Sequence, residues 1–107
     1  MIIVNSAKTY NLATNKLATL HPGALVINYP SKPTPIDYQL NHDNIVLISA
    51  IFSWDLPHLK EVVADACFYN QQIDIGGPAV MHNEANLTAL DRRVRIKHYH
   101  DAEHVKG

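Results

Sequence analysis

An α/β fold, a small doubly wound and mainly parallel sheet with helices on both faces, is what this 107-residue sequence predicts. Three observations carry that reading. The run Ile45-Val46-Leu47-Ile48-Ser49-Ala50-Ile51-Phe52 is apolar and β-branched without alternation, as in strands covered on both faces. Leu59, Val62, Val63 and Ala66 then recur at i, i+3, i+4 and i+7, the stripe of an amphipathic helix. A second short apolar run, Ile73-Asp74-Ile75, follows and ends in Gly76-Gly77-Pro78. Strand, helix, strand in this order makes a right-handed crossover between parallel strands.

The remaining elements follow in chain order. Residues 1–5 read as the first strand, and Ser6-Ala7-Lys8-Thr9 is a polar segment fit to cap a helix. Leu12, Ala13, Leu17 and Leu20 recur at helical spacing until Pro22-Gly23 stops the pattern. Residues 24–28 make a second strand. Three prolines in Tyr29-Pro30-Ser31-Lys32-Pro33-Thr34-Pro35 predict an extended loop where a second helix would have been, because each ring removes a donor and restricts its predecessor. Residues 45–52 are the third and central strand, Ser53 or Asp55 caps the next helix, and Pro57 suits its first turn. Residues 72–75 give the fourth strand, 76–78 a tight turn and 86–91 a brief helix. Residues 92–100 read as a fifth, edge strand whose Lys, Arg and His discourage pairing with another molecule. One domain therefore spans 1–100, with 101–107 a mobile tail. A flavodoxin-like strand order of 2-1-3-4-5 sets the switch point between the first and third strands, where ligands sit in such sheets. Asn5-Ser6-Ala7 and Phe52-Ser53-Trp54 would face each other there.

Composition excludes several classes. Nine basic and ten acidic side chains nearly cancel, which argues against nucleic acid and against a polybasic membrane anchor. The longest apolar stretch is a strand's length, and Met1 runs directly into Ile2-Ile3-Val4 with no basic region or cleavage site, so a cytoplasmic protein is expected. Cys67 is the only cysteine, which rules out an internal disulfide, a thiolate zinc site of ordinary stoichiometry and an iron–sulfur cluster ligated by this chain alone. Within its helical stripe it reads as a buried thiol acting as a hydrophobe. His98, His100 and His104 are the only histidine cluster and are not assigned a metal. His21, His42, His58 and His82 sit at element boundaries and read as surface residues. No Ser-His-Asp order, paired carboxylates, Walker loop or Gly-x-Gly-x-x-Gly is present, and no catalytic residue is assigned.

With Ile48-Ser49-Ala50-Ile51-Phe52-Ser53-Trp54 and Ile75-Gly76-Gly77-Pro78-Ala79 in view, the chain resembles the amino-terminal cobalamin-binding-like domain of radical S-adenosylmethionine enzymes, over about residues 1–87. The resemblance implies a Rossmann-like accessory domain, non-catalytic on its own, whose partner is a radical S-adenosylmethionine (radical SAM) barrel in cis or in trans. Cobalamin is the cofactor it implies for this lobe, and some members keep the domain without one. The iron–sulfur cluster and S-adenosylmethionine would belong to a parent enzyme, since the Cys-x-x-x-Cys-x-x-Cys motif is absent here. Where base-off cobalamin modules carry Asp-x-His-x-x-Gly, this chain reads Asn5-Ser6-Ala7-Lys8-Thr9-Tyr10, without the axial histidine.

The candidate cofactor-binding residues are Asn5, Ser6, Ser49, Phe52, Trp54, Gly76, Gly77 and Pro78, each with a plainer alternative. Gly76-Gly77-Pro78 allows close backbone approach to a ligand or makes an ordinary turn. Ser49 matches a cofactor-contacting serine of cobalamin modules or satisfies backbone. Phe52 and Trp54 wall a flat ligand, dock a neighbouring domain or fill the core. Asn5 and Ser6 donate to a ligand or cap the first helix. The competing function is a stand-alone protein-interaction module that engages another protein, or a second copy of itself, through a sheet edge or the aromatic pair.

Overall fold

A computed structural model of the chain describes residues 1–83, 86–87, 90–91 and 93–97. The elements are β1 (Ile2–Asn5), α1 (Leu12–Leu20), β2 (Leu25–Asn28), α2 (Pro35–Gln39), β3 (Ile45–Ser49), α3 (Leu56–Phe68), β4 (Gln72–Gly76), α4 (Pro78–His82) and β5 (Val94–Lys97). All four strand pairings are parallel, and the sheet runs β2-β1-β3-β4-β5. The doubly wound α/β class is the one the sequence predicts.

Register decides what each face carries. Ile2 and Val4, Val46 and Ile48, Ile73 and Ile75, and Val94 and Ile96 lie in line across four strands. They form one core with Tyr38 of α2, Leu59, Val62, Val63 and Ala66 of α3, and Val80 of α4. Ile3 and Leu47 point the other way and pack on Leu17 of α1. The unbroken apolarity of β3 follows: with helices on both sides, Val46, Leu47 and Ile48 are all buried. Towards β5 the α1 face turns polar, and Asp74 accepts from Arg95 at 2.9 Å.

Local chemistry sets the ends of α3. Pro57 occupies its first turn, where no N–H is needed. At the other end Asn70 takes the left-handed conformation (φ 57°), its N–H bonding the Cys67 carbonyl and that of Gln71 the Ala66 carbonyl, a Schellman closure with asparagine in place of glycine. Cys67 is half-buried against the core, and burial followed by the nearby Asp91 carboxylate pushes its thiol pKa up.

Several expectations are corrected. The proline-rich loop holds over 29–34, but Pro35 then opens α2, because Thr34 and Asp37 form a reciprocal capping box and a proline at the first helical position loses nothing. Helix α1 begins at Leu12 behind Asn11, not behind Ser6-Ala7-Lys8-Thr9. Asp55 does not cap α3; its carboxylate accepts from the Ile51 and Phe52 amides at 3.3 and 3.0 Å, closing a 3-10 turn over Ser53–Asp55. Helix α4 was not expected, and of the strand expected over 92–100 the described residues 94–97 form β5, while 92 and 98–100 lie outside the described residues. Residues 86 and 87 are helical. His98, His100 and His104 and the segment 101–107 lie outside the described residues. No helix among those described is long and apolar enough to cross a membrane.

Candidate functional site

The carboxyl ends of β1, β3 and β4 form one continuous lip. Ser6 N–H bonds the Ser49 carbonyl at 2.9 Å and Ala50 N–H the Gly76 carbonyl at 3.1 Å, so the ladder carries the three strands into their loops side by side. The last register row across the sheet runs Asn28, Asn5, Ser49, Gly76 and Lys97, and Asn28, Asn5 and Ser49 are on the α1 side. This lip is the switch point, because β1 sends its chain to one neighbour and β3 to the other.

Asn11 crosses it. Its Nδ2 donates to Asn5 Oδ1 at 3.1 Å and to Ser49 Oγ at 2.8 Å, while Asn5 Oδ1 also accepts from Ala7 N–H at 3.0 Å. The backbone donor fixes which end of the Asn5 amide faces inward, and that in turn fixes the Asn11 amide. Asn5, Asn11 and Ser49 are all buried. Asn5 and Ser49 therefore share the expected crevice, with the Asn11 side chain bridging it. Asn5 does not cap α1.

A second contact ties the opposite face. Ser6 is fully buried, and its Oγ lies 2.7 Å from His58 Nδ1, while His58 Nε2 lies 2.9 Å from the Ser31 carbonyl. A carbonyl only accepts, so Nε2 carries the proton and donates to it, leaving Nδ1 to accept from the Ser6 hydroxyl. The Tyr29 ring stands edge-on to the imidazole at 5.2 Å, with Lys8 5.5 Å from the Tyr29 ring centre. Serine, histidine and carbonyl have the order of an activated nucleophile, but a hydroxyl with no exposed surface meets no substrate, and the arrangement is a strut joining β1, the 29–34 loop and α3. Ser6 does not cap α1, and its fully buried hydroxyl lines neither the cavity beside Asn11 nor the one at the opposite end of the sheet. His58, expected on the surface, is buried, as is the Asp55 carboxylate beneath the β3 loop.

The lip opens outward in two ways. A cavity of about 340 Å³ lies beside Asn11, walled by Tyr10, Leu12, Ala13, Lys16, Ile51 and Pro78. Beyond it Phe52 and Trp54 stack face to face, centroids 4.5 Å apart at 16°, with Phe52 40% and Trp54 60% exposed. Core filling is thereby excluded for that pair. Gly76 and Gly77 are buried, and Gly77 adopts φ 112°, ψ 166°, which essentially only glycine reaches. The turn thus needs its glycine for backbone reasons, whatever else it does. A somewhat larger cavity, about 420 Å³, lies at the opposite end of the sheet against Ile2, Leu25 and Leu40, remote from this lip.

The donor set does not suit a base-off cobalamin. The loop 6–11 offers no imidazole, both ring nitrogens of His58 are engaged, and a cavity near the lower bound for small-molecule pockets is too small for a corrin. No cluster of three metal-ligating side chains exists among the described residues. Compared with known proteins, the chain matches no family model, no curated protein and no solved structure.

Asn11, His58 and Tyr10 are the site residues sequence reasoning missed. His58 had a signal: it stands four residues before Val62 and next to Leu59, on the flank of the buried stripe of α3. Asn11 had a weaker one, an asparagine immediately before the helical pattern.

Proposed function

We propose that this chain is the accessory, cobalamin-binding-like lobe of a radical S-adenosylmethionine enzyme, working without a cofactor of its own and docking to the catalytic barrel through the carboxyl-end lip. The observation that carries the reading is the exposed Phe52–Trp54 stack on the loop that follows β3 at that lip. The stacked pair keeps 40% of Phe52 and 60% of Trp54 open to a partner, and tryptophan is among the residues most often dominant in such contacts. Tyr10 and Leu12, both exposed, extend the apolar surface along the same end. The lobe's part is binding and positioning, and a cytoplasmic location goes with it.

The test has two arms. Co-expression with a barrel carrying the three-cysteine motif, encoded in the same reading frame or beside it, is expected to give a complex that Trp54→Ala weakens by about 2 kcal/mol, roughly thirtyfold. The purified chain incubated with hydroxocobalamin and desalted is expected to stay colourless. Retention of the corrinoid at near-equimolar ratio overturns the cofactor-free reading, and a reading frame and gene neighbourhood without any such barrel overturns the assignment in favour of a stand-alone interaction module.

A further inference from the structure

The two edges of the sheet are built differently. Edge strand β5 reads Val94-Arg95-Ile96-Lys97, with charge at alternate positions, which is how natural sheets prevent strand-to-strand association. Edge strand β2 reads Leu25-Val26-Ile27-Asn28 without a charge, and Leu25 and Val26 are 43% and 37% exposed. Leu25 and Ile27 share one face of β2 and Val26 takes the other, so both sides of this edge are apolar. Leu40 of α2 shares a groove with Leu25, and Leu20 at the end of α1 stands where the chain turns into β2; both are exposed.

Backbone polarity shows what the edge can take. Leu25 N–H bonds the Met1 carbonyl and Tyr29 N–H the Asn5 carbonyl, so the odd-numbered residues of this strand face β1. Val26 consequently turns its N–H and C=O outward, away from the sheet, and Asn28 its N–H, while the Asn28 carbonyl accepts from Ser31 N–H at 3.0 Å. We infer that β2 pairs antiparallel with β2 of a second copy of this chain, about a two-fold axis at Val26, to give a ten-stranded sheet. In that register Val26 N–H and C=O meet their own counterparts, and Asn28 N–H meets the Ala24 carbonyl of the other copy, whose own N–H is already bonded to His21. Leu25 then stands beside Ile27 of the second copy.

Charge and area both suit a copy of the same chain. A two-fold axis sets side chains at the axis against themselves, so any charge there would meet its like, and residues 24–28 carry none. The exposed parts of Leu20, Leu25, Val26 and Leu40, with the strand backbone, amount to several hundred Å² on each copy, which brings a pair to roughly 1,000 Å², the lower bound for a specific interface. An interface of this size belongs among the weak ones, and a dissociation constant in the micromolar range is the expected outcome. This inference uses the β2 edge and stands independently of the docking reading of the aromatic lip.

Sedimentation velocity of the chain from about 5 to 500 μM covers that range. A monomer–dimer equilibrium is expected, weakened about a hundredfold by Val26→Lys, which sets two ammonium groups across the axis, and unaffected by Trp54→Ala. In the wild-type chain, the Val26 and Asn28 amides are expected to gain protection from hydrogen exchange as concentration rises, a readout that holds even if the lysine variant folds poorly. A chain that stays monomeric at the highest concentration overturns the inference. So does a dimer that Trp54→Ala breaks, or one whose Val26 and Asn28 amides exchange freely, because another surface then makes the contact.

Discussion

His58→Phe is the substitution that most directly tests how the switch point is held. Phenylalanine keeps a ring beside Tyr29 but removes both hydrogen bonds of the imidazole. The Ser6 hydroxyl, fully buried, loses its acceptor, and a buried polar group left unpaired costs about 1–3 kcal/mol. The Ser31 carbonyl sits in an exposed loop and finds water instead, so its loss adds only about 0.5–1 kcal/mol. The expected destabilisation is about 2–4 kcal/mol, set against about 5–15 kcal/mol for a whole domain. In a chain of this length that lowers the melting temperature by roughly 10–20 °C. Urea and thermal unfolding of wild type, Ser6→Ala, His58→Phe and the double variant measure it. Because Ser6→Ala removes the orphaned hydroxyl, the double variant should lose less than the two single losses combined, by about 1–2 kcal/mol. Strictly additive losses, or a His58→Phe cost below about 0.5 kcal/mol, would refute the strut.

Three further outcomes are expected. The Tyr38 phenol is buried with no hydrogen-bond partner among the described residues, and burial, reinforced by Asp65 and Asp37, raises its pKa well above the usual tyrosine range. The folded state then holds this proton more tightly than the unfolded chain, so the contribution is whole below about pH 10 and is lost as pH rises beyond it. Tyr38→Phe, which keeps the ring stacked on Tyr69, should raise stability by about 1 kcal/mol and flatten the alkaline fall; a loss of stability at pH 7 would count against the orphaned phenol. Gly77→Ala should cost about 1–3 kcal/mol because of its backbone angles, whereas Gly23→Ala, where an added methyl meets nothing within 4 Å, should change urea midpoints little; equal effects would contradict the assignment. Asn11→Asp sets a carboxylate oxygen against Asn5 Oδ1, which the Ala7 amide locks as an acceptor, so it should destabilise more than Asn11→Ala at neutral pH and recover in acid. Unfolding curves for Asn11→Asp that match wild type would mean the bridge is not formed.

Much of the fold was legible because burial leaves its mark on composition. Val46, Leu47 and Ile48 could be assigned to a doubly covered strand from the sequence, since a β-branched apolar run of a strand's length is what a strand packed on both sides carries. The stripe of α3 was equally plain. Helices α2 and α4 were harder: five-residue helices carry too few turns for periodicity, and the proline that argued against α2 is the residue that starts it. The candidate site was legible only as an address. Asn5, Ser49 and Gly76 do share the last row of the sheet, but Ser6 turns to the other face and bonds His58, 52 residues away in sequence. No local pattern encodes such a partner.

Hydrophobic periodicity, proline and glycine placement and the single cysteine therefore determine, by themselves, a parallel α/β sheet with its open end after β1, β3 and β4, and they exclude an internal disulfide and a metal site built from several thiolates of this chain. Only the tertiary structure decides that Asn11 bridges the switch point, that His58 is buried, that the Phe52–Trp54 stack faces outward, and that one sheet edge is charged while the other is bare. The physical reason is one of range. Secondary structure answers to neighbours a few residues away, whereas the orientation of an amide, the tautomer of an imidazole and the exposure of a ring answer to groups that meet only once the sheet has closed.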